Sequence, residues 1–121
     1  MKKESQFVDS KEIKPVLVQK IEGAPVRGKL LVRRLLTGDR ILLLQSIEEK
    51  GAYGPPHKHD HESMQFLIKG RRKMVVDGKE FIAEEGNAWL IPEGALHEHE
   101  ALEDCLVIEI KSPQEAYRGA A

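Results

Sequence analysis

Short apolar runs alternate along this chain with clusters of glycine, proline and acidic residues, and the pattern renews itself at intervals of about eight to twelve residues. Residues 29–36 and 40–47 flank Thr37-Gly38-Asp39 and predict a hairpin. Leu31 and Leu35 have helical spacing, so a helix competes over 29–36, but the short runs and the Gly-Asp turn favour strands. Further strands are predicted at 64–68, 73–76, 79–83, 88–91, 97–100 and 105–110, with Asp77-Gly78 turning a second hairpin. Val16, Leu17 and Val18 suit a short edge strand, Gly54-Pro55-Pro56 an irregular piece, and 113–117 a turn of helix. About eight to ten short strands make an antiparallel all-β sandwich or barrel. From Ile41 to Leu44 both faces of the strand are apolar, which predicts cover on both sides: the barrel's own core on one, a second subunit on the other. A homodimer is the expected assembly.

Composition narrows this picture without redirecting it. The 121 residues suit one domain, read as a polar, aperiodic, flexible arm over 1–14 and a single barrel over 15–121. Nineteen basic residues against 20 acidic ones give a net charge of -1, so no broad field favours nucleic acid or an anionic membrane. The N-terminus, MKKESQFVDS, lacks an apolar stretch behind its lysines, and the longest aliphatic run is far too short to span a bilayer. A soluble, cytoplasmic protein is expected. Cys105, the one cysteine, falls in an apolar run and reads as core packing.

The candidate chemistry lies in 51–70 and 86–97. On a strand, His57 and His59 project to one side about 7 Å apart, and His97 follows the turn-forming Pro92-Glu93-Gly94. Neutral imidazole is a common ligand for first-row transition metals, so the three can hold one ion. By the same parity Ser63, Gln65 and His61 share the face of His57 and His59, Glu62 faces away, and His99 shares the face of His97. In the blander reading, His61 and His99 are strand-end residues, Trp89 and Phe81 are core, Glu98 and Glu100 are a solvated edge, and the barrel holds no metal. Arg71, Arg72 and Lys73 then form a solvated face, unless one turns inward to meet a substrate carboxylate.

Gly51-x5-His57-x-His59 with Gly70, and Gly86-x5-Pro92-x-Gly94-x2-His97, together resemble the two motifs of the small single-domain bacterial cupins. The resemblance implies a double-stranded β-helix, or jelly-roll barrel, with a divalent metal (zinc, nickel, manganese or iron) on His57, His59 and His97. The family's fourth ligand, usually Glu, Gln or His, falls on Ser63, and a hydroxyl is a poor ligand at neutral pH. The fourth ligand is then Ser63 itself or a neighbour, Gln65 being the better substitute by parity with His61 and His99 behind it, or the site has three histidines and an extra open position. The order of features over about residues 25–118 is similar to the pectin-degradation cupins, which linearise 4,5-unsaturated uronates. That likeness implies a metal-dependent isomerase for a small carboxylated metabolite, with His61 and His99 as candidates for proton transfer. Two alternatives stand beside it: a non-catalytic binding or sensing module, and an oxygenase built on a three-histidine iron site.

Overall fold

The computed structural model describes residues 6–114. Its strands are β1 (Val16–Leu17), β2 (Lys20–Ile21), β3 (Ala24–Pro25), β4 (Leu30–Thr37), β5 (Leu42–Glu48), β6 (Tyr53–His57), β7 (Glu62–Lys69), β8 (Arg71–Val76), β9 (Lys79–Glu84), β10 (Ala88–Ile91), β11 (His97–Ala101) and β12 (Cys105–Ser112). They form a six-stranded sheet ordered β1-β4-β5-β12-β7-β10, a four-stranded sheet ordered β6-β11-β8-β9, and a separate β2-β3 hairpin. All the pairings are antiparallel. The competing helix over 29–36 is therefore a strand, and Val16–Leu17 is the edge strand. Within the stretch expected to be an arm, Ser10–Glu12 forms a 3-10 turn, and Arg33 Nε donates to the Ile13 carbonyl at 2.6 Å. Most of the helical turn expected over 113–117 lies outside the described residues. No helix among them is long and apolar enough to cross a membrane.

Two sequence expectations change in the structure. Gly54-Pro55-Pro56 belongs to β6: His97 pairs with His57 but His99 with Gly54, so the extra residue of a bulge absorbs the prolines where the ladder needs no N–H from them. The stretch 97–100 is not an edge, because β11 lies between β6 and β8.

The alternation of side chains is inverted relative to a simple core. On β7, Ser63, Gln65 and Leu67 are buried in the lumen while Met64, Phe66 and Ile68 are 58%, 43% and 45% exposed on the outside. On β12, Cys105, Val107, Glu109 and Lys111 point inward and Ile110 outward. On β5, Leu42 and Leu44 are buried in the lumen; on the outer face Leu43 is half-buried and Gln45 is buried, its oxygen accepting from Arg33 Nη1 at 2.8 Å. The lumen itself changes along its length. One end is apolar, built from Leu67, Val107, Cys105, Ala83 and Ala101 with Phe81 and Trp89 against them. The other end is polar.

A buried ion pair joins the sheets there. Arg72 of β8 donates Nε to Glu48 Oε1 of β5 at 3.1 Å, and its Nη2 to Glu48 Oε2. Neither side chain is more than 2% exposed. Arg72 Nη1 also donates to Gln65 Oε1 at 2.9 Å, and His99 Nε2 lies 3.4 Å from Glu48 Oε2. Of the basic cluster, then, Arg72 is the residue that turns inward; Arg71 and Lys73 pair outside with Glu84 and Glu80.

Burial alone would raise the Glu48 carboxyl, but Arg72 and His99 overcome it and hold it down to about 2. Because the folded value lies below the ordinary 4.5, Glu48 contributes its stability fully above about pH 4.5 and loses it as pH falls towards 2. Glu48→Leu, which strands Arg72 in the barrel, is expected to cost about 3–5 kcal/mol in urea unfolding at neutral pH. Glu48→Leu with Arg72→Met should recover most of that loss and flatten the acid limb below pH 4.5. A double variant no more stable than the single one would show that the pair is not what joins the sheets.

Candidate metal centre

The strand β6 ends at His57, so His59 lies in the loop before β7 and reaches the site by a different route from the one parity implies. The three imidazoles nevertheless converge. Ring centroids of His57 and His97 lie 4.1 Å apart, those of His57 and His59 4.6 Å, and those of His59 and His97 5.1 Å. Each residue offers a ring nitrogen within 4.8 Å of the others, a spacing that small side-chain rotations close around an ion bonded at about 2.0–2.1 Å.

The partners of these rings fix which nitrogen is on offer. His57 Nδ1 lies 2.6 Å from the Pro55 carbonyl, His97 Nδ1 3.0 Å from the Ala95 carbonyl, and His59 Nδ1 2.9 Å from Glu22 Oε2. An oxygen acceptor requires the proton on Nδ1, which leaves each Nε2 with its lone pair for a ligand. Burial above all, with mutual repulsion and the Lys111 ammonium, lowers His57 and His97 to about 4 and His59 to about 2. All three are neutral at pH 7, and the His59–Glu22 contact is an imidazole N–H donating to a carboxylate. This donor set fits a divalent transition metal.

The histidines open into a cavity of about 270 Å³, whose wall also includes Gln65, Arg72, His99, Glu109 and Lys111. His61 is not part of that wall: it is buried and stacks against His59 at 4.5 Å. His99 is held at the wall by Gly54, where an added Cβ would overlap its ring. Ser63 is buried on β7, in the opposite sheet from His57 and His97, and accepts a hydrogen bond from Lys111 Nζ at 3.1 Å. Both the oxygen and the nitrogen of the Gln65 amide are engaged. Its oxygen accepts from Arg72 and from Trp89 Nε1 at 2.6 Å, and its Nε2 donates to Glu109 Oε2.

Sequence reasoning missed Lys111, Glu109, Glu48 and Glu22. Glu109 and Lys111 alternate with Leu106, Ile108 and Ile110, and ordinary patterning sends such charges to solvent and the aliphatics to the core. Burial alone would raise the Glu109 carboxyl, yet it is lowered overall, by Lys111 first, then Arg72 and the Gln65 amide, so it is a carboxylate in the lumen. Cys105 is buried, with Sγ 3.1 Å from the Arg71 carbonyl and its thiol pushed up by burial, which matches core packing.

A sequence profile of the cupin domain matches residues 43–111. The chain is similar to the pectin degradation protein KdgF of Dickeya dadantii (strain 3937), with 29% identity over 92 residues, 74% of this chain and 84% of that protein. It is similar in structure to KdgF from Halomonas sp., with a TM-score of 0.68 and 25% identity over 70% of this chain and 79% of that one. A predicted oxalate decarboxylase from Thermotoga maritima shares the fold, with a TM-score of 0.78 at 19% identity over 89% of this chain and 99% of its own. The profile spans more than half of the 121 residues and contains all three converging histidines, and the chain belongs to the cupin domain family.

Proposed function

We propose that the protein is a metal-dependent isomerase that opens a small unsaturated uronate. The observation that carries this reading is the set of three neutral histidines, each with Nδ1 tied to an oxygen, beside a buried lysine in one cavity. The likeness to a protein of pectin degradation supports the choice of substrate. His57, His59 and His97 hold the ion, and what it supplies when bound is Lewis-acid polarisation of a substrate oxygen. Ser63, already bonded to Lys111, and Gln65, with its amide engaged, stand outside the ligand set.

The remaining groups divide the work. Lys111, which donates to Ser63 at the family's fourth-ligand position, pairs with the substrate carboxylate. Ring opening takes a proton from the anomeric hydroxyl, and tautomerisation of the released enol returns one to carbon, so the reaction needs a proton carrier and no other reactant. Glu109 suits that role: its contacts to Gln65 and Lys111 both fall on Oε2, and it lines the cavity as a carboxylate. His99, held by Glu48, is the second carrier.

Elemental analysis of the purified protein should find about one transition-metal ion per chain, absent from His57→Ala and His97→Ala variants that still fold. Unsaturated uronates should lose the ultraviolet absorbance of their double bond, and Lys111→Met should raise KM about tenfold or more. No metal after incubation with zinc, nickel, manganese and ferrous iron would overturn the isomerase and leave a binding or sensing barrel in its place.

The same reading includes a homodimer, with two copies packing through the outer face of the six-stranded sheet. Met64, Phe66, Ile68, Leu90 and Ile110 make that face apolar and 43–58% exposed, whereas Ser63, Gln65, Glu109 and Lys111 of the same sheet turn into the lumen. Sedimentation at micromolar concentration should give twice the chain mass, and Phe66→Asp with Ile110→Asp should give a folded monomer. A native chain that sediments as a monomer would remove the dimer.

A further inference from the structure

The hairpin β2–β3 contributes to neither barrel sheet, yet Lys20, Ile21, Glu22 and Gly23 form part of the cavity wall. Its two-residue turn places Glu22 at φ 49° and Gly23 at φ 82°, the left-handed pair of a type I′ turn. The turn between β8 and β9 has the same form, at Asp77 (φ 48°) and Gly78 (φ 81°). There the residue is aspartate, which tolerates the left-handed region and accepts the Leu96 N–H on its own side chain at 3.0 Å. Glutamate is not among the residues that favour the left-handed region, so its place at position 22 carries a steric cost. The Glu22 carboxylate accepts a hydrogen bond from Nδ1–H of His59, 37 residues away, at 2.9 Å, and the Glu22 side chain is 23% exposed although the turn is open to solvent.

We propose that Glu22 is a positioning residue of the metal centre: it fixes the tautomer and the ring angle of His59, the one histidine of the three that no strand holds. His57 and His97 lie on strands, and each uses a carbonyl two residues before it as the Nδ1 acceptor, an arrangement local to its own segment. His59 lies in a loop and has no such carbonyl in that role. The hairpin supplies the missing acceptor from outside the span of the family profile, which begins at residue 43. Glu22 is not itself a ligand in this arrangement, because a group bonded at Nδ1 stands on the far side of the ring from Nε2. The proposal rests on the metal-binding reading above.

The test uses the full chain and zinc or cobalt alone. Glu22→Gly and Glu22→Asn both suit the left-handed turn, and neither reaches His59; Glu22→Gln keeps an acceptor oxygen at the same reach. Glycine and asparagine should weaken zinc binding about 10- to 100-fold in competition with a chromophoric chelator and should alter the visible spectrum of the cobalt form. Glutamine should recover most of the affinity. The metal-free thermal midpoints of the glycine and asparagine variants should equal or exceed that of the native chain. Native affinity in both of those variants would overturn the proposal while leaving the metal centre intact. A fall in both metal-free midpoints would overturn it by marking Glu22 as a residue of the fold. A native chain that binds neither zinc nor cobalt would overturn this proposal and the metal-binding reading together.

Discussion

Arg72 and Glu48 face one another across the interior from opposite sheets, and the polar half of the barrel is arranged to satisfy them. A guanidinium and a carboxylate removed from water are tolerable only when nearly every donor and acceptor finds a partner. Gln65 meets that demand for Arg72, His99 Nε2 stands 3.4 Å from Glu48, and Trp89 and Glu109 extend the network to the wall of the cavity. Glu109 is in turn balanced by Lys111, 3.4 Å away. The buried charges therefore come as two opposed pairs. An ion on three neutral histidines would add positive charge to that balance, and an anionic ligand would then offset it.

The same arrangement explains what the sequence makes legible. Turn chemistry is local, so Asp77-Gly78, Gly70 and Pro92-Glu93-Gly94 mark the strand ends correctly without knowledge of the fold. His57, His59 and His97 are legible because two spaced motifs carry them. Which face of each strand is inside is not local. Leu106, Ile108 and Ile110 read as core and lie on the outer face, while Glu109 and Lys111 read as surface and lie in the lumen. The choice is favourable because polar groups from strands far apart in sequence satisfy one another within the barrel, and that cannot be seen in six alternating residues.

His59 shows the limit of parity. Its two-residue spacing from His57 places it on one face of a strand, but Lys58 begins a loop, and the convergence of the rings depends on how that loop folds back. The Glu22 contact was equally hidden, since the sequence separation is large and glutamate at a turn reads as an ordinary solvated residue. Loop and hairpin together hold one imidazole that a strand would have held alone.

The position of β12 has a consequence for how the chain is made. It is the last of the described strands in sequence, yet it lies in the middle of the six-stranded sheet, paired with β5 on one side and β7 on the other. During synthesis the ribosome emits β5 and β7 long before the strand that joins them, so both wait with open edges. Assembly of the larger sheet is a late, long-range event, and such topologies fold slowly. Loss of β12 would take Glu109 and Lys111 with it and split that sheet in two, so a nascent chain cannot complete the cavity before β12 has been made.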